Sequence, residues 1–219
     1  MAVFDANSFL AHRSKYHQFV DEGRVQSWVD RSVFGSNVKR MYRDMTITIH
    51  DHIGTIETVD AVEYVRTRRN EDHFFIAQLV NPDDIFHYVG LWYNHTRMEL
   101  MILDPHHPFY SLDPNLRRVH NYERLVNIAF RRLPGLTILP ASHYFGNFTV
   151  DVGDGEYSLQ CEAPQMLENR YLLEQNITPG LQDCLLWCFI MLTYATARRK
   201  LPNTPFGCYT LALHFIDRL

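Results

Sequence analysis

The stretch DCLLWCFIML, residues 183–192, decides how the rest of the chain is arranged. After its first residue it is apolar around the whole circumference of a helix, which is typical of a helix buried at the centre of a domain. Pro202 ends such a helix, because proline cannot continue the hydrogen-bonded ladder. We therefore predict a central helix from Asp183 to about Lys200, with Cys184 in its first turn.

The composition indicates a single domain of ordinary size without a membrane-spanning segment. The chain has 219 residues, of which 46% are hydrophobic, and a net charge of -4. The longest apolar run, Leu185 to Leu192, is too short to cross a bilayer. A net negative charge gives no support for non-specific nucleic-acid binding. It does not decide whether nucleic acid is a partner in some other way. Four cysteines and the absence of a signal-peptide pattern favour a reduced, intracellular protein.

The remaining segments predict an α+β fold in which a mostly antiparallel central sheet packs against the 183–200 helix, with other helices around it. Alternating or β-branched runs predict strands over 45–59, with a turn near Gly54, and over 73–80. Spaced apolar anchors in a polar sequence predict a mostly helical segment over 7–45, and capping residues with apolar spacing predict a helix over 113–135. Further strands are expected over 137–161, broken by a turn at 153–155, and over 170–176.

A predicted hairpin brings an imidazole and a carboxylate together. The segment HYVGLWYNHTRMELMILDP, residues 87–105, reads as two strands with a tight turn centred between His95 and Thr96. In that register His87 lies directly opposite Asp104 on one sheet face. The same face carries apolar residues that need a covering element, and we expect the central helix there. These residues are Val89, Leu91, Tyr93, Met98, Leu100 and Ile102.

The beginning of the central helix would then place Cys184 near His87. The partial positive charge of a helix N-terminus and a nearby imidazolium both stabilise a thiolate. The same backbone N–H groups can bind the oxyanion that forms during acyl transfer. The sequence thus predicts Cys184 as nucleophile, His87 as general base and acid, and Asp104 as the group that orients His87.

These same residues resemble the adenovirus endopeptidase (adenain) family, within the clan of cysteine proteases that includes the SUMO-specific proteases. The similar segments are FHYVGLWYNHTRMELMILDP, DPNLRRVHNYERLVNIAFRR and DCLLWCFIMLTYATARRKLPNTP. The resemblance covers residues 74–140 and 168–206, and the order His, acid, Gln, Cys agrees. It implies a papain-like, adenain-like fold with one protease domain over 1–219. In that domain residues 1–70 form an N-terminal extension, 71–206 the catalytic core, and 143–165 an insertion.

The resemblance also implies further site residues, with some departures from the family pattern. An oxyanion glutamine is expected, either Gln175 at the end of the 170–176 strand or Gln182, unless backbone donors serve alone. Tyr88 and Asp183, which flank the His and the Cys, are expected to contact the substrate. Tyr88 stands where tryptophan is usual, and Leu185 stands where glycine is usual after the nucleophile, which would crowd the oxyanion site.

The function implied is that of a viral maturation endopeptidase that cleaves structural precursor proteins near small residues, often Gly, in the virion and the host cell nucleus or cytoplasm. No cofactor is expected. One alternative is a ubiquitin-like-specific protease, with ubiquitin-like proteins as partners. A second is an interaction protein that kept the fold without activity. A third is a metalloprotein that uses Asp104, His106 and His107, which is awkward because adjacent histidines point to opposite sides of an extended chain.

Overall fold

The computed structural model describes a sheet, a separate hairpin and five helices. The described residues are 46–50, 53–58, 61–80, 85–106, 121–141, 147–151, 156–160, 163–179, 183–197 and 199–216, together with Ala11 and Ser14. Apart from those two positions, the helical segment expected over 7–45 lies outside the described residues. So does the beginning of the helix expected over 113–135.

A six-stranded mixed sheet forms the centre of the fold. Its strands lie in the order β2-β1-β3-β4-β5-β6. Three neighbouring pairs are antiparallel, while β1 with β3 and β5 with β6 are parallel. The expected α+β class with a mostly antiparallel sheet is therefore confirmed. The strands are β1 (Thr46–His50), β2 (Thr55–Glu57), β3 (His73–Val80), β4 (Ile85–Asn94), β5 (Glu99–Leu103) and β6 (Thr137–Leu139).

Several strands follow directly from their local sequence. The alternating run at 45–59 forms the β1–β2 hairpin, and its turn contains Gly54 at φ +67°, a conformation that glycine adopts without strain. The strand expected over 73–80 is β3, with the expected bounds. In this part of the chain the β propensity of the residues and the turn residue favour the same structure that the tertiary contacts favour.

Helices cover both faces of the sheet. They are α1 (Ala61–Thr67), α2 (Asn121–Phe130), α3 (Pro164–Glu174), α4 (Asp183–Thr196) and α5 (Pro205–Ile216). One buried cluster joins α1 and α2 to one face of the sheet, and a second joins α4 and α5 to the other face. Because both faces are buried, β3 and β4 are apolar at nearly every position.

The central helix α4 packs on the face that carries Trp92, Met101 and Leu103. A Cβ at Gly90 would lie 3.4 Å from Cγ of Leu192, so the missing side chain lets the helix approach β4 closely. We expected α4 on the opposite face, beside Val89, and that prediction is wrong. Alternation cannot tell the two faces of β4 apart, because both are apolar, and the opposite face is covered by α1 and α2.

The strand predicted over 170–176 is also wrong, since these residues lie at the end and C-terminal side of α3. Pro164 begins this helix, where its missing N–H has no consequence for the ladder. Leu167 packs in the α4 cluster, and Leu172 packs with Tyr209 of α5. The seven residues considered alone contain less than two turns, which is too short a window to show the helical repeat.

Helix α4 is enclosed between the sheet on one side and α3 and α5 on the other. It ends at Thr196, slightly before the predicted Lys200, and α5, which was not predicted, follows Pro202. Cys208, Ala212 and Phe215 of α5 are buried against the α4 cluster. This enclosure explains why α4 is apolar on all sides.

A separate two-stranded hairpin lies within the region expected to be an insertion. Strands β7 (Asn147–Asp151) and β8 (Glu156–Gln160) pair antiparallel, as the alternation over 137–161 predicts. The turn expected at 153–155 lies outside the described residues. None of the helices in the described part of the chain has both the length and the apolar character needed to cross a membrane.

Candidate active site

Strands β4 and β5 bring His87 and Asp104 to one end of the sheet, in a register two residues away from the predicted one. Gly90 pairs with Leu103, so Asp104 is diagonal to His87 and not directly opposite. The turn between the strands takes four residues, 95–98, instead of the two that we assumed. A shift of two keeps both side chains on the same face, because the period of a strand is two.

The contact between these two side chains is short and buried. Nε2 of His87 lies 2.8 Å from Oδ1 of Asp104, and the two residues are 3% and 1% exposed. At that exposure a charge is not stabilised by water, so each group depends on its protein partners for stabilisation.

Cys184 meets the other side of the same imidazole. It is the second residue of α4, and its Sγ lies 3.2 Å from Nδ1 of His87. Cys184 is 5% exposed, so only a small part of its surface is accessible from solvent. The structure therefore brings together the three side chains predicted as nucleophile, base and orienting acid.

Asp104 accepts hydrogen bonds at both of its carboxylate oxygens. Oδ1 accepts from His87 and from the backbone N–H of His106, at 2.9 Å. Oδ2 accepts from the hydroxyl of Tyr122 at 2.7 Å. Tyr122 was not among the residues predicted for the site. The signal for it was its position on the inner face of α2, four residues before Val126 and eight before Phe130.

The charges of these groups reinforce one another. Burial acts to lower the pKa of His87, but the charges of Asp104 and Cys184 and the hydrogen bonds to them outweigh it and raise that pKa to about 10. Burial acts to raise the pKa of Asp104, but the His87 cation and the hydrogen bonds from His87, Tyr122 and His106 outweigh it and lower that pKa to about 2. At neutral pH an imidazolium therefore lies between a carboxylate and the sulfur.

Two neighbouring titratable groups stay uncharged at neutral pH. The ring of His106 has its centroid 6.3 Å from that of His87, and burial together with the His87 cation lowers the pKa of His106 to about 4. Cys188 is fully buried one turn along α4, and burial with the charges of Cys184 and Asp104 raises the pKa of its thiol well above the ordinary value. Neither group competes with His87 for its proton.

The residue after the nucleophile is accommodated in the protein interior. Leu185 is 1% exposed and packs in the core cluster around α4. A leucine at this position was expected to crowd the oxyanion site, and that expectation stays a prediction.

The residues predicted to contact substrate lie beside the site. Tyr88 follows His87 on β4, is half-buried and packs against the α4 cluster. Asp183 is the first residue of α4 and is 2% exposed. A carboxylate in this first turn interacts favourably with the helix dipole. The role of both residues in substrate binding stays a prediction.

The two candidate oxyanion glutamines are not brought to the sulfur by any described contact. Gln175 caps the C-terminus of α3 instead of ending a strand, and its side chain is exposed. Gln182 lies outside the described residues. A third glutamine was not anticipated: Gln165 is 2% exposed, and its backbone N–H donates to the carbonyl of Pro105 at 3.1 Å, directly after Asp104.

The metal alternative finds no cluster in the described part of the chain. Among those residues no group of three or more His, Cys, Asp and Glu side chains is placed to hold an ion. Asp104 is engaged with His87 and Tyr122, and His107 lies outside the described residues.

Comparison with known proteins finds little similarity. No family model matches the chain, and no curated protein matches it. Two solved structures match, both of the SUMO protease Ulp1, with the catalytic cysteine oxidised to a sulfinic acid in one and to a sulfonic acid in the other. Each is 10% identical, covers 84% of this chain and 71% of its own, and has a TM-score of 0.35. A likeness of this degree does not establish the activity of the chain, and neither structure is an adenain.

Proposed function

We propose that this chain is a cysteine endopeptidase in which Cys184 is the nucleophile, His87 the general acid and base, and Asp104 the group that orients His87. One observation supports this most strongly. Buried contacts run from Sγ of Cys184 to Nδ1 of His87, and from Nε2 of His87 to Asp104. A thiol held beside an imidazolium at the start of a helix is the arrangement that activates sulfur as a nucleophile.

We assign both proton transfers to Nδ1 of His87. The thiolate attacks the carbonyl carbon of the peptide bond, and the carbonyl π electrons move onto its oxygen. As the C=O bond re-forms, the C–N bond breaks and the departing amine takes the proton from Nδ1 of His87, which faces the sulfur. Water then attacks the thioester while Nδ1 accepts its proton, which releases the carboxylic acid and restores the thiolate–imidazolium pair.

The other nitrogen of His87 stays bonded to Asp104 throughout this sequence. Because Nε2 donates to Oδ1 at 2.8 Å, the ring keeps the orientation that aims Nδ1 at the sulfur. The oxyanion needs donors on the opposite side of the reacting carbon. The backbone N–H groups of the first turn of α4, where Cys184 lies, are the donors that we assign to it, since the positive end of the helix dipole lies there.

The resemblance to adenain supports a finer proposal about the substrate. We assign viral structural precursor proteins as substrates, cleaved beside small residues such as Gly, in the virion and the host nucleus or cytoplasm. The adenain-like fold, the single domain over 1–219 and the 143–165 insertion belong to the same proposal. Processing of ubiquitin-like proteins is the competing substrate class.

Cleavage of a positional-scanning peptide library by the purified protein tests the proposal. We expect cleavage with a preference for Gly or another small residue next to the cut, and no cleavage by Cys184→Ser or His87→Ala. The matched control is Cys208→Ser. Cys208 is fully buried in α5, and its thiol donates to the carbonyl of Pro202, a hydrogen bond that a serine hydroxyl can also make. It should cleave like the wild type.

Two outcomes would count against parts of this proposal. Equal cleavage by Cys184→Ser and the wild type would exclude the assigned nucleophile. Cleavage confined to fluorogenic C-terminal derivatives of ubiquitin or SUMO, with none of the library peptides cut, would replace viral precursors by ubiquitin-like proteins as the substrate.

A further inference from the structure

Asp104 is the point at which helices on opposite faces of the sheet are connected. Through Oδ1 and His87 it reaches the sulfur at the start of α4, on one face. Through Oδ2 it reaches Tyr122 of α2, on the other face. Four side chains therefore form one continuous line of hydrogen bonds and contacts across the end of the sheet.

The side chain of Tyr122 is held in place by the packing of α2 on the sheet. Tyr122 is 2% exposed and packs in the cluster between α2 and the sheet. The next residue, Glu123, accepts a 3.0 Å hydrogen bond from the backbone N–H of Ala141, just after β6, and this contact ties α2 to the sheet. Burial and the charge of Asp104 raise the pKa of Tyr122 well above its ordinary value, so the phenol keeps its proton.

The carboxylate of Asp104 depends on this donor. A buried carboxylate needs hydrogen bonds at both oxygens, and Oδ1 already has two donors while Oδ2 receives the short bond from Tyr122. Without that bond Oδ2 would be free to turn toward other donors, and the turn would carry Oδ1 away from His87. The other titratable groups that act on Asp104, His87 or Tyr122 are His106, Glu123, Cys184 and Cys188.

We infer that Tyr122 is a positioning residue: its hydroxyl fixes the carboxylate of Asp104 so that Oδ1 stays aimed at Nε2 of His87, which in turn holds Nδ1 against Cys184. The meaning of this contact for catalysis rests on the proposed function. The contact itself can be tested without any substrate, so the two can fail separately.

The test compares Tyr122→Phe with Tyr93→Phe. Both tyrosines are buried in the same cluster, and each substitution deletes one hydroxyl, but that of Tyr93 donates to the carbonyl of Arg69 at 3.1 Å, away from the site. The two variants should lose similar stability. The readouts are the ¹⁵N chemical shifts of the His87 ring as a function of pH and the rate at which iodoacetamide alkylates Cys184 at pH 7, followed by mass spectrometry of the peptide.

We expect Tyr122→Phe to lower the pH at which His87 loses its proton by about one unit. The reason is that Oδ1 of Asp104 is no longer aimed at Nε2 of His87, so the charge-assisted hydrogen bond between them is weakened. Because Nδ1 of His87 is then held less closely against the sulfur, the alkylation rate should fall by about fivefold or more. Tyr93→Phe should match the wild type in both readouts. A Tyr122→Phe variant that titrates and reacts like Tyr93→Phe would overturn the inference, whatever the protein cleaves.

A measurement on the wild-type protein keeps the inference testable if Tyr122→Phe does not fold. Because Tyr122 and His87 share Asp104, the ¹³Cζ shift of Tyr122 should change with the same pH midpoint as the His87 ring, while that of Tyr93 should not. A Tyr122 signal that is insensitive to the His87 titration would equally overturn it. Absence of peptide cleavage alongside the expected shifts would count against the proposed function and leave the positioning role standing.

Discussion

Replacing Asp104 by Asn removes a charge at the centre of the site and nearly preserves its shape. The carboxylate lies 2.8 Å from Nε2 of His87, and both groups are buried. With an effective dielectric constant of about 20, two unit charges about 4 Å apart interact by about 4 kcal/mol, which corresponds to about three pH units. Burial opposes the imidazolium, and the contribution of Cys184 remains in the variant. We therefore expect the pKa of His87 to fall from about 10 to near or below 7.

The assay is a pH titration of ¹⁵N-histidine-labelled protein, followed through the ring nitrogens of His87. In the wild type the ring should stay protonated through pH 8, and in Asp104→Asn it should be largely neutral there. A neutral ring cannot donate a proton from Nδ1 to the leaving amine. Peptide cleavage at pH 8 should therefore fall by about two to four orders of magnitude, the usual contribution of general acid–base catalysis.

Asp72→Asn is the matched control for this substitution. Asp72 accepts hydrogen bonds from the backbone and the ring of His95, at 2.9 and 2.7 Å, in a partly exposed pair at the far end of β4. Removing that carboxylate should leave the His87 titration unchanged. The reasoning would be refuted if Asp104→Asn left the midpoint of His87 near pH 10, or if Asp72→Asn moved it as far as Asp104→Asn does.

Two further predictions concern stability. In a Cys184→Ser background, where Asp104 still acts to raise the pKa of His87, the free energy of unfolding should decrease as pH rises above about 6.5, because folded His87 retains a proton that the unfolded chain has released. Urea unfolding over a pH series measures this slope, and adding His87→Gln should abolish it; a slope that persists would show that another group causes it. Gly90→Ala should be tolerated, whereas Gly90→Val should destabilise the protein by about 1–3 kcal/mol, because a Cβ there already lies 3.4 Å from Leu192 Cγ and 3.5 Å from Leu103 Cβ. Equal thermal stability of the two Gly90 variants would contradict the close approach of α4.

The local chemistry of the chain was sufficient to predict the elements that carry the site. The bounds of β3, the β1–β2 hairpin and the beginning of α4 at Asp183 were all predictable from propensity, turn residues and apolar runs. So was the shared sheet face of His87 and Asp104. That prediction survived a register error because a shift of two residues preserves the face of every side chain.

Other features depended on contacts between segments distant in sequence. The alternation of β4 could not show which face α4 covers, because both faces are buried and apolar. The helical state of 170–176 was decided by the packing of Leu172 against Tyr209 and by turns that begin at Pro164. In both places the sequence was compatible with two structures, and burial against a partner selected one of them.

By itself the sequence determined that a thiol, an imidazole and a carboxylate would lie at the ends of adjoining elements, because local periodicity sets where a strand or a helix begins. Only the tertiary structure decided which donors complete the site. The bond from Tyr122 to Asp104 joins residues 18 apart in the sequence, in different elements, and the contact of Cys184 with His87 joins residues 97 apart. Such contacts form only when the covering helices pack on the sheet. A hydrogen bond requires its two atoms to be placed to within a few tenths of an ångström, and local preferences do not specify positions that closely.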